Sequence, residues 1–217
     1  MPDSPITAVA FDMDGLMFNT EDVYFQVGCR LMERRGHVFT EELSAAVMGK
    51  TPQKSFETMI ARFGLQDTWQ NMHRESDETF FELLDAILAP MPGLMPLLEY
   101  LETRGIPKAI CTGSGRRVLT GVLKRFEMEP RFDFTITADE TVHGKPHPEI
   151  YLSAAARFGV SPQRMLVLED SEAGCHAAAN AGAFIVAVPG YLSEHMDYSR
   201  AKMVLTGLDD PRLYEVL

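Results

Sequence analysis

Several short groups of polar residues have types and spacings that suit catalysis. The first is the pair Asp12 and Asp14, which is followed by Gly15, a residue that allows a sharp turn. Two carboxylates this close repel each other unless a cation joins them or one of them is protonated. Both outcomes are useful, because Mg²⁺ prefers oxygen ligands and a protonated carboxyl group can act as a general acid. Taken alone, the pair fits a loop with two solvated aspartates equally well.

A second group combines small residues with hydroxyls. Thr112, Gly113 and Ser114 precede a segment, residues 116–126, that is predicted to be helical. Backbone N–H groups at a helix N-terminus, together with the positive end of the helix dipole, can hold an anion. The same residues could also serve only as a helix cap.

The remaining groups supply one cation and two further acids. Lys145 lies between Gly144 and Pro146 and is predicted to open a helix, so its charge is held with little freedom, as a phosphate-binding lysine requires. Glu169 and Asp170 follow an apolar run and precede another helical segment. They suit Mg²⁺ ligation, although a turn lysine and a pair of helix-capping acids are the simpler interpretations of each group alone.

Short apolar runs alternate with helical segments, which is typical of an α/β protein with a mostly parallel sheet covered on both faces. Between the first two predicted strands, the four-residue spacing of Val23, Val27 and Leu31 indicates helices. We therefore expect a core domain (residues 1–16 and 91–217) with an inserted helical cap domain (residues 17–90). The predicted strands are residues 6–11, 107–111, 134–137, 165–168 and 184–188.

All four polar groups follow predicted strands, and ligands of open parallel sheets bind at the carboxyl ends of the strands. Together they provide a nucleophile, an acid, metal ligands, an anion cradle and a cation. Phosphoryl transfer needs this combination, since its catalysis rests on positioning and on charge stabilisation.

These motifs, in this order, resemble those of the haloacid dehalogenase superfamily along essentially the whole chain. The sequence is similar to the subfamily with a helical cap after the first strand, which includes sugar-phosphate phosphatases and β-phosphoglucomutase. The resemblance implies a Rossmann-like core. Segments 47–50, 91–93 and 143–146 are most similar to pseudouridine-5′-phosphatase-type members. The motifs are Asp12-Met13-Asp14-Gly15, Thr112-Gly113-Ser114, Lys145-Pro146 and Glu169-Asp170.

By this resemblance, the chain is expected to be a Mg²⁺-dependent phosphatase for a small phosphorylated metabolite such as a sugar phosphate or nucleotide. Asp12 would attack phosphorus and become an acyl phosphate, which divides one hard displacement into two easier ones. Asp14 would protonate the leaving alcohol and then take a proton from water. Mg²⁺ would be held by Asp12, the backbone carbonyl of Asp14 and Asp170, with Glu169 nearby.

The same resemblance assigns phosphate binding to the second and third groups. Thr112, the backbone around Gly113 and Ser114, and Lys145 would hold the phosphate, and Thr112 and Lys145 would thereby take part in catalysis. The chain departs from the pattern at Asn19, where many relatives carry an aspartate. We expect this change to alter hydrogen bonding in the hinge to the cap rather than catalysis.

Four other functions remain to be weighed. A mutase of the β-phosphoglucomutase type would use a cap histidine and a cap arginine, where this chain has Tyr24 and Pro52. Carbon–halogen cleavage needs no general acid, so the presence of Asp14 argues against it. A nucleotide-binding P-loop is excluded because Ser44 occupies the place of its first glycine. A non-catalytic protein that binds phosphorylated metabolites is the remaining alternative of another class.

The composition of the chain limits the kinds of partner that we expect it to bind. The 217 residues carry a net charge of −11, and the basic residues are scattered, whereas nucleic-acid binding needs them clustered. No window approaches the ~18 apolar residues of a membrane span, so we expect neither a nucleic acid nor a membrane as partner. The N-terminal residues lack the features of a secretion signal, and the three cysteines lie far apart. A cytoplasmic monomer is the simplest expectation.

Overall fold

The computed structural model describes residues 4–48 and 50–217, so Gly49, within the segment 47–50 noted above, lies outside the described residues. The chain forms two compact units. The first unit consists of two chain segments, one up to Asn19 and one from Ala89 onward, and the second unit is Thr20–Leu88. These boundaries differ by a few residues from those expected, because residues 17–19 and 89–91 pair with each other and so belong to the same unit. None of the helices in the described residues has the combined length and apolar character that a membrane crossing needs.

The described part of the first unit contains six strands, which in chain order are β1 (Ala8–Phe11), β2 (Lys108–Cys111), β3 (Phe134–Ile136), β4 (Met165–Glu169), β5 (Phe184–Ala187) and β6 (Met203–Val204). They form one parallel sheet in the order β3-β2-β1-β4-β5-β6. The predicted α/β class with a Rossmann-like parallel sheet is confirmed. Strand β6 was not predicted, since it is a two-residue edge strand in which Val204 is 48% exposed and which lacks an apolar run.

The central strands are buried on both faces, which explains their continuous apolar sequences. On one face two helices, the second of them alanine-rich, pack against small side chains such as Ala8 and Ala10; they are residues 149–158 and 172–181. Alternate residues such as Phe11 and Leu168 point to the other face and are equally buried. The helices of this unit are α5 (Leu94–Thr103), α6 (Arg116–Arg125), α7 (Glu149–Phe158), α8 (Glu172–Ala181) and α9 (Pro211–Tyr214), with 3₁₀ turns at Glu129–Arg131, Ala138–Glu140 and Pro162–Arg164.

The described residues of the second unit form four helices joined by short loops and no strand, as the apolar spacing predicts. Val23, Val27 and Leu31 on α1 are all buried, and α4 packs against both α1 and α3. Three of the helices begin at a threonine whose side chain accepts a backbone N–H, a common N-cap arrangement. The helices are α1 (Thr20–Glu33), α2 (Glu41–Val47), α3 (Pro52–Phe63) and α4 (Trp69–Ile87).

An ion cluster joins distant parts of this helical unit. Arg35, just after α1, donates to Asp67 Oδ2 at 2.6 Å and to Glu75 Oε2 at 2.7 Å. The hydrogen bonds from Arg35 lower the pKa of Asp67. Burial alone would raise the pKa of Glu75, but its hydrogen bonds with Arg35 and Arg34 more than offset this, so that pKa is lowered too. Both carboxylates therefore prefer the charged state in the folded unit.

The chain leaves and re-enters the sheet-containing unit at a seam formed by residues 17–19 and 89–91. The Asn19 side chain accepts the N–H of Ala89 at 2.6 Å, and the Asn19 N–H donates to the Ala89 carbonyl at 3.1 Å. The N–H of Met91 donates to the Met17 carbonyl at 2.8 Å. The two ends of the interruption are thus hydrogen-bonded to each other within one unit.

Candidate active site

Strand register brings the predicted groups to one level of the sheet. Phe11 of β1 pairs with Ile110 of β2 and with Leu168 of β4. The next residues on the three strands, Asp12, Cys111 and Glu169, therefore lie side by side at the carboxyl edge. Because β2 and β4 lie on opposite sides of β1, this is also the point where the strand order reverses. Crevices that bind ligands form at such points in open α/β sheets.

Lys145 joins two buried carboxylates at this edge. Its Nζ donates to Asp12 Oδ1 and, at 2.6 Å, to Glu169 Oε1. It also donates to the carbonyl of Cys111 at 3.1 Å. Asp12 is 6% exposed and Glu169 is 0% exposed, so the ammonium group compensates charges that water hardly reaches.

Asp14 lies beside Thr112 and Ser114, the two hydroxyl-bearing residues that follow β2. Its Oδ2 accepts hydrogen bonds from Thr112 Oγ1 at 3.0 Å and from Ser114 Oγ at 2.7 Å. Its Oδ1 is buried and has no hydrogen-bond partner among the described residues. A buried oxygen of this kind is costly unless a further group meets it, so the atom marks a place for a proton, a water molecule or a ligand.

Some of the backbone N–H groups around Gly113 are already hydrogen-bonded within the fold. The Thr112 N–H donates to the Ile136 carbonyl at 3.0 Å, and the Ser114 N–H donates to Thr112 Oγ1 at 2.9 Å. The amides of these two residues are therefore engaged within the fold. Gly113 is exposed and has open space where a Cβ would be, so its own backbone is the accessible part of this loop.

Glu169 is held by more groups than Lys145 alone. Tyr151 on α7 is fully buried and donates to Glu169 Oε1 at 2.5 Å, and Ser171 Oγ donates to Oε2 at 2.9 Å. Ser171 is also the N-cap of α8, where its side chain accepts the N–H of Gly174 at 3.1 Å. A Cβ on Gly174 would lie 1.8 Å from Glu169 Oε1, so only glycine leaves room for this carboxylate.

The electrostatics of the site reflect its burial. Burial raises the pKa of Asp12 to about 8, opposed by the ammonium of Lys145 and reinforced by the carboxylates of Glu169 and Asp14. Burial on its own would lower the pKa of Lys145, but the carboxylates of Asp12 and Glu169 raise it further than burial lowers it. Lys145 therefore remains charged, whereas the raised pKa of Asp12 means that this carboxyl group favours a proton until another positive charge, such as a metal ion, takes the place of that proton.

The donor set fits a hard divalent cation. Asp12, Glu169 and Asp170 each offer a carboxylate oxygen, and these atoms lie within 4.8 Å of one another. Mg²⁺ takes oxygen ligands at about 2.1 Å, so oxygens on opposite sides of the ion are about 4.2 Å apart. Asp170 is buried, and its backbone carbonyl accepts a hydrogen bond from Tyr198, which fixes the turn that carries it. Small side-chain adjustments would bring the three carboxylates around one ion.

The predicted site residues thus meet at one edge, with one correction. Lys145 does not open a helix, since α7 begins only at Glu149, and Lys145 lies in the turn before it. The contributions of Tyr151 and Gly174 were not predicted. Tyr151 has the apolar neighbours of a helix core and gave no signal, whereas the N-cap serine followed three residues later by glycine could have drawn attention to Gly174.

The similarity of this chain to known proteins, in sequence and in structure, extends along most of its length. The family model of the haloacid dehalogenase-like hydrolases matches residues 6–182. A phosphorylated carbohydrates phosphatase of Thermotoga maritima is 33% identical over 81% of this chain and 81% of its own. A protein of Drosophila melanogaster, named as a probable pseudouridine-5′-phosphatase, is 32% identical over 94% of this chain and 91% of its own.

Among solved structures, a variant of CbbY from Rhodobacter sphaeroides in complex with xylulose-(1,5)bisphosphate superposes with a TM-score of 0.83. It is 25% identical and covers 94% of this chain and 96% of its own. The similarity therefore includes the helical insertion as well as the sheet. With the family model matching well over half of its length, the chain belongs to the haloacid dehalogenase-like hydrolase family.

Proposed function

We propose that this enzyme hydrolyses the phosphomonoester of a small metabolite through a phosphorylated Asp12, with Mg²⁺ as cofactor. One observation carries the proposal. The buried carboxylate of Asp12 is bonded to Lys145 and lies among the oxygens of Glu169 and Asp170, so a nucleophile, a cation and metal ligands meet at one point. Few other reactions need this combination of groups.

In the first step, an Asp12 carboxylate oxygen forms a bond to phosphorus while the bond from phosphorus to the ester oxygen breaks. The leaving alkoxide takes a proton from Asp14 Oδ1, the buried oxygen that has no partner among the described residues. Thr112 and Ser114 bond to the other oxygen, Oδ2, and so keep the carboxyl group turned in this orientation. General acid catalysis of this kind contributes about 10²–10⁴-fold.

In the second step, water attacks the phosphorus of phosphorylated Asp12, the bond to the Asp12 oxygen breaks and inorganic phosphate leaves. Asp14 takes the proton from that water and regains the state in which it began. Lys145, charged and bonded to both Asp12 and Glu169, is placed to contact the phosphoryl oxygens throughout. Mg²⁺ held by Asp12, Glu169 and Asp170 would offset the repulsion between a carboxylate and an anionic phosphate.

For the substrate we propose a phosphorylated sugar or a nucleotide-like monophosphate. The support is that the relatives named above are a phosphatase of phosphorylated carbohydrates and a probable pseudouridine-5′-phosphatase. Each relative aligns over four-fifths or more of the chain. The reducing cytoplasm, which holds such metabolites, is the proposed compartment.

The proposal is tested by measuring phosphate release from sugar phosphates, nucleotides and pseudouridine phosphate, with and without Mg²⁺. Asp12→Asn keeps the shape of the side chain but removes the nucleophilic charge, and we expect kcat to fall roughly 10⁴-fold or more. Asp133→Asn is the matched control, because Asp133 lies at the opposite edge of the sheet and bonds to the N–H of Lys108. Full activity in Asp12→Asn would refute the assignment.

The intermediate can be tested separately. Asp14→Asn removes the base of the second step but also the acid of the first, so the substrate for this test is p-nitrophenyl phosphate, whose leaving group needs no proton. Mass spectrometry should then find a phosphoryl group on the peptide that contains Asp12. A phosphoryl group on another residue would contradict the mechanism while leaving the phosphatase activity itself unchallenged.

The same substrates separate the alternatives. Isomerised sugar phosphate with little free phosphate would indicate a mutase, and binding without turnover would indicate a non-catalytic protein. The ring of Tyr24, which stands where a mutase is expected to carry its cap histidine, stacks on Phe80 with 4.7 Å between centroids. A phenol is a weaker general base than an imidazole, which favours hydrolysis.

Asn19 is proposed to affect the hinge only. Asn19→Asp keeps the oxygen that accepts the Ala89 N–H, so we expect turnover within about twofold of the parent and a modest change in stability. A large gain in kcat would show that residue 19 belongs to the catalytic machinery.

A further inference from the structure

A second group of potential metal ligands lies in the turn between β3 and α7, apart from the carboxylates described above. His143, His147 and Glu149 each offer one ligand atom, and these atoms lie within 4.8 Å of one another. The histidine side chains are 60% and 49% exposed, so an ion from solution can reach them directly. None of the three belongs to the Asp12, Glu169 and Asp170 set.

Two distances between the ligand atoms bracket the spacing expected around a tetrahedral ion. His143 Nδ1 lies 3.0 Å from Glu149 Oε2, and His147 Nδ1 lies 3.8 Å from the same oxygen. Zinc binds histidine nitrogen and carboxylate oxygen at about 2.0–2.2 Å, which places neighbouring ligands about 3.4 Å apart. The two observed distances lie on either side of this value. Small rotations of the imidazole rings, whose centroids are 4.4 Å apart, would equalise them.

The carboxylate is held in place independently of the histidines' rings. Glu149 Oε1 accepts the N–H of Val142 at 2.8 Å, and Oε2 accepts the N–H of His143 at 3.0 Å. These bonds fix the carboxylate between the two ends of the turn. Clamping the turn needs only these backbone bonds, so the imidazole of His143, whose Nδ1 is hydrogen-bonded to Oε2 at 3.0 Å, is an additional feature. The Nδ1 of His147 accepts the N–H of Glu149 at 3.3 Å, a bond that an ion at this nitrogen would replace. A prearranged anionic ligand lowers the ordering cost of binding an ion.

We propose that His143, His147 and Glu149 bind a divalent transition-metal ion of the zinc class. Imidazole nitrogen suits Zn²⁺, Ni²⁺ and Cu²⁺, whereas Mg²⁺ prefers an all-oxygen set, so the two sites select different ions. Lys145 lies within this turn. An ion at the site ties together the residues on either side of Lys145 and restricts the motion of the turn that presents it.

The test is calorimetric titration of Zn²⁺ into the whole protein in the presence of excess Mg²⁺, which occupies the oxygen ligands. We expect a binding event that His147→Ala and His143→Ala each weaken roughly tenfold or more. His195→Ala is the matched control, because His195 is also exposed but lies in another turn, and it should bind Zn²⁺ as the parent does. Equal affinity in His147→Ala and the parent would overturn the proposal.

A direct readout covers the case in which Zn²⁺ binds elsewhere. Nitrogen NMR of the side chains in the parent should show the Nδ1 signals of His143 and His147 moving together as one equivalent of Zn²⁺ is added. Movement of other histidines with these two unchanged would overturn the proposal. Neither measurement depends on turnover, so the proposed phosphatase function can fail without affecting this result, and the reverse also holds.

Discussion

Gly174→Ala gives a sharp test of the site, because two physical arguments predict opposite signs. Gly174 lies in the first turn of α8, and replacing a helical glycine by alanine ordinarily stabilises a protein by about 1 kcal/mol. Here the new Cβ would lie 1.8 Å from Glu169 Oε1 and 1.9 Å from its Cδ. Ordinary contacts begin at 3.4 Å, so the carboxylate must retreat by about 1.6 Å.

That retreat is larger than the hydrogen bonds of Glu169 can absorb. Its bonds to Lys145 and Tyr151 measure 2.6 Å and 2.5 Å, and such bonds extend to only about 3.2 Å. At least one should break. A lost hydrogen bond to a buried charge costs about 1.5–3 kcal/mol, and overpacking adds about 1–3 kcal/mol. After the gain of about 1 kcal/mol in helix propensity, the expected net loss is about 1.5–5 kcal/mol.

The assay is urea unfolding of the parent, Gly174→Ala and Gly144→Ala, followed by circular dichroism. A Cβ at Gly144 would meet no atom within 4 Å, and the backbone there is not left-handed, so this alanine variant should stay close to the parent. The phosphatase activity of Gly174→Ala should fall as well, because the displaced carboxylate is also a proposed Mg²⁺ ligand. A Gly174→Ala protein as stable as the parent, or more stable, would refute the reasoning about the crowded carboxylate.

Two further predictions concern stability. Tyr151→Phe removes the buried hydrogen bond to the carboxylate that ends β4 and should lower the free energy of unfolding by about 1.5–3 kcal/mol in urea titrations, whereas an unchanged free energy would contradict the role of this hydroxyl. In the helical unit, the pKa values of Asp67 and Glu75 are lowered from 3.8 and 4.5, so their contribution to stability is complete above these values and is lost as the pH falls through the lowered ones. Arg35→Gln should therefore destabilise this unit most above pH 4.5 and progressively less in acid. Fluorescence of Trp69, the single tryptophan of the chain, reports this unfolding, and a destabilisation independent of pH would contradict the ion-cluster explanation.

The sheet was predictable because its strands are buried on both faces. Such strands must be apolar at every position, which produces short runs such as Ala8–Phe11 and Met165–Glu169 that stand out in the sequence. The helical insertion was predictable for a related reason, since one buried face imposes a helical period. The edge strand β6 was not predicted, because a two-residue strand at the border of a sheet needs neither buried side chains nor an apolar sequence pattern.

The meeting of the candidate residues at one edge of the sheet was predictable, but the contacts that support them were not. Polar residues at or beyond the carboxyl ends of parallel strands lie at the same edge of the sheet, so the convergence of Asp12, Lys145 and Glu169 could be expected from their order along the chain. The support of Glu169 did not follow, because Tyr151 comes from a helix whose spacing indicates only packing. The crowding at Gly174 depends on an ångström-scale approach between two elements, and no linear pattern encodes such a distance.

The seam at residues 17–19 and 89–91 has a consequence for how this protein can diversify. Since Asn19 and Ala89 are hydrogen-bonded to each other, the backbone of the sheet-containing unit closes across its own interruption. The insertion Thr20–Leu88 therefore begins and ends at neighbouring points of the backbone, as a short hairpin loop does. We therefore expect that insertions of other lengths can be accommodated at this junction without altering the strands or the residues at their ends.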